Sequence, residues 1–243
     1  MKAMKKTAAI SGVAVLAAAG LATAVPASAS APPMTSTALP AFDYRDCPQL
    51  PSGVDPAKWR CEVLVADGSM TIGDGAPVGI HLTAVTHAEG PLPDGKPGQV
   101  FGGFRAAAAE VPGGLLGPWA GFGPRLAMRP VDVGPIDFLS QSGAVPLKLQ
   151  LSGPFLGRDC AIGGAGAPVD VALARVPGTA GWISQDPPVM KFDAADSTFA
   201  VPATQGCEGL DRFLDERFGL PSAAGRNQIA VTAYYSFKTY NKL

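Results

Sequence analysis

The sequence predicts an all-β, mainly antiparallel fold, a β-sandwich-like or barrel-like domain with one short helix in its C-terminal half. Three observations carry this. Period-2 apolar runs recur between turn signals along most of the chain, Gly and Pro supply 30 and 24 of 243 residues, and only one stretch has helical periodicity. With 47% apolar and 16% charged residues, the composition is that of a turn-rich folded domain, since disorder requires low hydrophobicity and high net charge.

Residues 1–29 read as an export signal. Lys2, Lys5 and Lys6 form a positive leading region, Thr7 to Ala24 is uncharged and apolar, and Ala27-Ser28-Ala29 has the small-x-small form that signal peptidase cuts after. Residues 30–41, rich in Ala, Pro, Ser and Thr, form a flexible leader. Residues 42–243 form a single β-rich domain. A two-lobed alternative would divide near residues 106–123, where the run from Ala106 to Gly123 breaks both the strand and the helix pattern.

Within the domain, alternating runs appear at Cys61–Ala66, Met70–Ile72, Val78–Thr86, Gln99–Phe101 and Pro124–Met128, and again at Val145–Leu151, Cys160–Ile162, Val169–Leu173, Thr198–Val201 and Gln228–Phe237. In the clearest, Leu147, Leu149 and Leu151 share one face while Lys148 and Gln150 share the other, as a half-buried antiparallel strand requires. Asp67-Gly68, Asp74-Gly75 and Asp94-Gly95 suit tight turns, the first two bounding a hairpin. The helix is predicted over Glu208 to Phe218. Leu210, Phe213, Leu214 and Phe218 form its apolar stripe, acidic residues sit at its start, and Gly219 with Pro221 ends it.

Four cysteines in an exported chain predict two disulfides. Cys47–Cys61 with Cys160–Cys207 closes shorter loops than either crossed pairing and is favoured on chain entropy. A redox or metal role would need close Cys pairs, which are absent. Once the three signal lysines leave, acidic residues outnumber basic ones and no Lys/Arg cluster remains, which argues against nucleic acid and anionic membrane as partners. No later apolar stretch approaches the roughly 18 to 20 residues of a membrane span, so no transmembrane anchor is expected. The expected product is secreted, either released or held non-covalently at the cell wall.

The C-terminal half resembles a family of actinobacterial exported proteins without an assigned activity. The resemblance rests on Leu156-Gly-Arg-Asp-Cys-Ala-Ile-Gly163, Ser197-Thr-Phe-Ala-Val-Pro202, Gly206-Cys207 and Gly219-Leu-Pro-Ser-Ala-Ala-Gly225 with Asn227. It implies a secreted β-rich domain of high-GC Gram-positive bacteria. It implies no substrate, cofactor or catalytic residue.

Candidate chemistry is sparse. His81 and His87, six positions apart, would lie about 20 Å apart on a straight strand. His87 and Glu89 would face one side about 7 Å apart, too few ligands for zinc without two more, so neither metal nor cofactor is expected. Gly-x-Ser-x-Gly and His-Glu-x-x-His are both missing. Asp193, Asp196, Asp211 and Asp215 are the densest carboxylates, but the last two alternate with Arg212, Glu216 and Arg217 as on a solvated helix face. Gly163-Gly-Ala-Gly166 leads into a strand pattern and reads as a connecting loop, not a phosphate loop. The positive signal is aromatic: Trp119, Phe122 and Trp182 lie in Gly/Pro-rich segments read as loops, where an exposed ring offers a binding face. These residues make a non-catalytic extracellular or cell-envelope binding module the expected function, with wall glycan or an extracellular protein as partner. An extracellular hydrolase of unrecognised type is the alternative.

Overall fold

The computed structural model describes residues 39–117, 123–134, 136 and 144–243. The export signal, most of the leader, and both Trp119 and Phe122 lie outside the described residues. Among the described residues, two antiparallel sheets pack face to face with one α-helix, the predicted fold class. The strands are β1 (Arg60–Thr71), β2 (Val78–Pro91), β3 (Pro97–Ala107), β4 (Ala109–Glu110), β5 (Ala127–Asp132), β6 (Ala144–Ser152) and β7 (Ala161–Ile162). They continue with β8 (Val169–Ala172), β9 (Ala174–Arg175), β10 (Gly181–Gln185), β11 (Pro188–Asp196), β12 (Thr204–Gln205) and β13 (Gln228–Thr239). The first sheet runs β10-β11-β13-β1-β2-β3, with β9 also on β11; the second runs β12-β7-β6-β5-β4, with β8 also on β6.

Alternation explains the packing. Leu64, Ala66 and Met70 of β1, with Ile72 just beyond it, face the second sheet, where Leu147, Leu149 and Leu151 of β6 meet the same core. That core draws residues from both sides of Ala106–Gly123. Part of the opposite face of the first sheet is also buried, at Val63, Thr86, Ala88, Val189 and Ser236. A strap at Tyr44 to Pro48 crosses it, fixed by the Cys47–Cys61 disulfide and by Tyr44 Oη donating to Ser236 Oγ at 3.0 Å. Thr86 Oγ1 and Tyr240 Oη donate to the carbonyls of Asp46 and Pro48. Beside the strap, the fully buried Trp59 donates its indole N–H to the carbonyl of Pro91 at 2.9 Å. A Cβ at Gly90 would come within 2.6 Å of the Trp59 ring, so glycine is required there.

Both disulfides join the favoured partners, Cys47 to Cys61 and Cys160 to Cys207, across 14 and 47 residues. In the loop-entropy account they stabilise by about 3 and 4 kcal/mol. The second sits just before the helix α1 (Asp211–Phe218), whose first turn is further tied by the Cys207 N–H donating to Asp211 Oδ1. The helix is shorter than Glu208 to Phe218, and Gly219 in the left-handed region caps it. Leu214 and Phe218 are buried, whereas Phe213 is exposed and leaves the predicted stripe.

Several expected elements change. Cys61–Ala66 and Met70-Thr71 fall in one continuous strand that stops one residue short of Ile72, because Asp67-Gly68 is not a turn. Gly68 sits where β1 and β13 approach so closely that a Cβ would lie 2.0 Å from the Ala230 carbonyl oxygen. Only Asp74-Gly75 turns the β1–β2 hairpin, and Asp94-Gly95 turns β2 into β3. Thr198–Val201 is not a strand; its extended end makes one isolated bridge, Val201 to Ser222. The strands β10 and β11 emerge from a Gly/Pro/Asp-rich region that hid them, and Trp182 therefore lies on a strand, not in a loop.

Glycine geometry yields a stability test. Gly68→Ala is expected to lower unfolding free energy by about 2 to 3 kcal/mol, an overpacking cost against rigid backbone. Gly166→Ala, where a Cβ meets nothing within 4 Å, should change it by less than about 0.5 kcal/mol. Urea unfolding of both variants decides, and equal effects would refute the close-approach explanation.

Candidate functional site

Among the described residues, strand register gathers a cluster of charged and polar side chains onto the inner face of the first sheet. Residues directly opposite on neighbouring strands point to the same side. One rung runs Trp182, Met190, Tyr235, Leu64, Val85 and Phe104 from β10 to β3. The next inward-facing rung carries Phe237, Glu62, His87 and Phe101, and the one after it Thr239, Arg60, Glu89 and Gln99.

A bulge makes this arrangement. Leu64 pairs with Val85 but Ala66 pairs with Leu82, so Thr83 and Ala84 together oppose Val65. The extra residue switches the alternation of β2. Val78, Ile80 and Leu82 face inward before it, and Val85, His87 and Glu89 face inward after it. The two histidines consequently part company: His81 is exposed and its Nδ1 lies 2.7 Å from Asp67 Oδ1, while His87 is buried.

Glu62 and His87 have side chains only 6% and 8% exposed, with Glu62 Oε2 3.2 Å from His87 Nε2. Glu89 Oε2 lies 3.9 Å from the same nitrogen. Arg60, half-exposed at the rim, places Nε 2.8 Å from Glu62 Oε1 and also pairs with Glu89 Oε1. Its guanidinium carbon sits 5.1 Å from the centre of the Phe237 ring. Burial opposes a charge on His87, but the two carboxylates outweigh it and raise its pKa. The His87 hydrogen bond, with help from Arg60 and against burial, holds Glu89 down at about 2. Burial, the charge of Glu62 and a hydrogen bond to it push the Tyr235 phenol far up, so it stays neutral.

The four aspartates singled out from the sequence have architectural partners. Asp193 accepts from Thr232 Oγ1 at 2.7 Å, and Asp215 accepts from both the backbone N–H and the hydroxyl of Thr204. Asp211 caps the Cys207 N–H. Asp196 Oδ2 accepts from the Ala172 N–H, joining β11 to β8, and Oδ1 accepts from the N–H and hydroxyl of Thr198. Burial works to raise the Asp196 pKa, and these hydrogen bonds overcome it and lower it. Gly163 to Gly166 is a connecting loop, closed by reciprocal backbone bonds between Gly164 and Ala167.

Trp182 stands at the edge, 48% exposed like its neighbour Ile183. Sequence reasoning placed His87 and Glu89 on one side but set them aside as too few ligands, and it missed Arg60, Glu62 and Tyr235. The available signal was alternation: Arg60 and Glu62 occupy the same parity as Leu64 and Ala66, so two charges continue an apolar face. No family model matches the chain, and no curated protein or solved structure matches it either.

The charge cluster predicts a stability window. The raised pKa of His87 contributes stability fully below the unfolded value of about 6.5, and this is lost as pH rises through the folded value. The depressed Glu89 contributes fully above its ordinary 4.5, and this is lost as pH falls toward about 2. Urea unfolding from pH 4 to 9 should show stability falling above about pH 6.5, a fall that His87→Gln abolishes. An identical pH profile for wild type and variant would contradict the assignment.

Proposed function

We propose that the protein is a secreted, non-catalytic binding module of the extracellular space or cell envelope, touching its ligand through the edge of the first sheet around Trp182. One observation carries the reading. The edge strand Gly181-Trp-Ile-Ser-Gln185 has no charge and no proline, and its two large apolar side chains are each about half exposed. Edge strands ordinarily carry charge or proline that discourages pairing, so an apolar, aromatic edge is a contact surface. An indole at such an edge stacks on a sugar ring or fills a partner's pocket with little loss of rotamer freedom. Wall glycan is the first ligand to test.

Export is supported by the leading segment of residues 1–29 and by the use of all four cysteines in disulfides. The resemblance to actinobacterial exported proteins points the same way. Among the described residues, no helix is long and apolar enough to cross a membrane. Binding is preferred over hydrolysis because the aspartates hold the fold together, and Glu89, kept ionised by His87 and Arg60, is no proton donor near neutral pH.

Purified mature protein should sediment with isolated cell wall. Trp182→Ala should weaken this by about tenfold or more, the scale of a central aromatic contact, while unfolding like the wild type. Trp119→Ala tests the second sequence candidate in the same assay. Undiminished binding by folded Trp182→Ala would remove the edge from the contact surface, and release of soluble wall fragments by the wild type would replace binding with catalysis.

A further inference from the structure

We propose that Glu62, His87 and Glu89 form a binding site for one divalent transition-metal ion of the zinc class, with Arg60 orienting the two carboxylates. The ligand set comes from adjacent strands, and the bulge at Thr83–Ala84 turns its histidine inward. One nitrogen and two carboxylate oxygens lie within 4.8 Å of one another. A tetrahedral ion with bonds of about 2.0 to 2.2 Å sets its ligand atoms roughly 3.4 Å apart. The Glu62 Oε2 to His87 Nε2 distance of 3.2 Å already meets this, and Glu89 Oε2, at 3.9 Å from the nitrogen, must close in, a movement asked of the less buried of the two carboxylates.

Arg60 is the apparent obstacle, because it pairs with both glutamates. It does so through Oε1 of each, on the side away from the imidazole, while both Oε2 atoms turn toward Nε2. Arg60 hydrogen-bonds to Glu89 and forms an ion pair with Glu62, and partners behind ligating carboxylates are the usual means of fixing their orientation. Charge counting agrees. Two carboxylates against one guanidinium leave a single negative charge to be met at the imidazole, and a cation between the three ligand atoms meets it in place of a proton. The imidazole nitrogen and the small number of ligands select zinc-like ions over calcium or magnesium, which want six or more oxygens. Three protein ligands leave a fourth position for water.

The test uses the mature chain after chelator treatment, at pH 8, where protons compete least for the imidazole. Isothermal titration with Zn²⁺ should give one saturable site, with Mg²⁺ giving none, and Zn²⁺ should raise the midpoint of thermal unfolding. Glu89→Gln, a rim substitution that spares the buried pair, should weaken Zn²⁺ binding by about 100-fold, and His87→Gln should abolish it. His81→Gln, on the opposite face, should leave affinity and stoichiometry unchanged. No saturable Zn²⁺ binding to the wild type would overturn the proposal, leaving Arg60 and a proton on His87 as the positive charges that join the carboxylates. Binding that survives Glu89→Gln or disappears in His81→Gln would overturn it equally. Wall binding by Trp182 is read in a separate assay, so either proposal fails without the other.

Discussion

Everything in the first sheet depends on the pairing of β1 with β13, twelve consecutive rungs between Arg60–Thr71 and Gln228–Thr239. These strands lie nearly at opposite ends of the domain and at the centre of the sheet. One flank, β2 and β3, grows from β1, and the other, β11 and β10, grows from β13. Without the central pair, Tyr235 and Phe237 would have no reason to stand beside Glu62 and Arg60, and Trp182 would have no rung in common with them. Closing a loop of that length is slow but only weakly costlier than closing a shorter one, because loop entropy grows with the logarithm of length. The many short-range hairpin contacts offset it.

The second constraint is parity. A strand alternates strictly, so one added residue exchanges the fates of everything after it. In β2 that residue converts a half-polar strand into one whose first part feeds the apolar core and whose last part carries His87 and Glu89 into a buried charge cluster. The cluster sits where the apolar interior gives way to polar side chains at one end of the sheet, with Arg60 and Glu89 toward solvent and Glu62 and His87 inside. Burying two carboxylates would be costly if they were unpaired. Here guanidinium and imidazole stand against them, so removing Arg60 or His87 leaves buried negative charge less compensated, while the rim Glu89 is the member most easily spared.

Much of the fold was legible because local chemistry and global packing agree. Leu147, Leu149 and Leu151 alternate as they pack, Asp94-Gly95 turns where glycine suggests, and Gly219 stops the helix it follows. The failures share a cause, namely that the deciding partner lies far away in sequence. Gly68 looks like a turn residue until Ala230 is seen pressing on it. Phe213 looks like core until the helix is docked through Leu214 and Phe218. The bulge leaves no mark in composition, so the inward face of His87 was invisible, as was Glu62, twenty-five positions earlier and one strand away. Trp182 could be recognised as a candidate contact, but not as a strand residue, because glycines and prolines surround β10 and break its alternation.

The strap over the outer face has a consequence for where this chain can safely fold. Val63 and Val189 share a rung with Ser236 and Thr86, both of which hydrogen-bond to the strap. The Cys47–Cys61 bond ties that cover covalently to β1. In a reducing compartment the cover is held by a handful of hydrogen bonds alone, and each opening bares an apolar sheet surface to other unfinished chains. Oxidation of Cys47 and Cys61 thus adds a covalent tie to a cover that is otherwise held by hydrogen bonds.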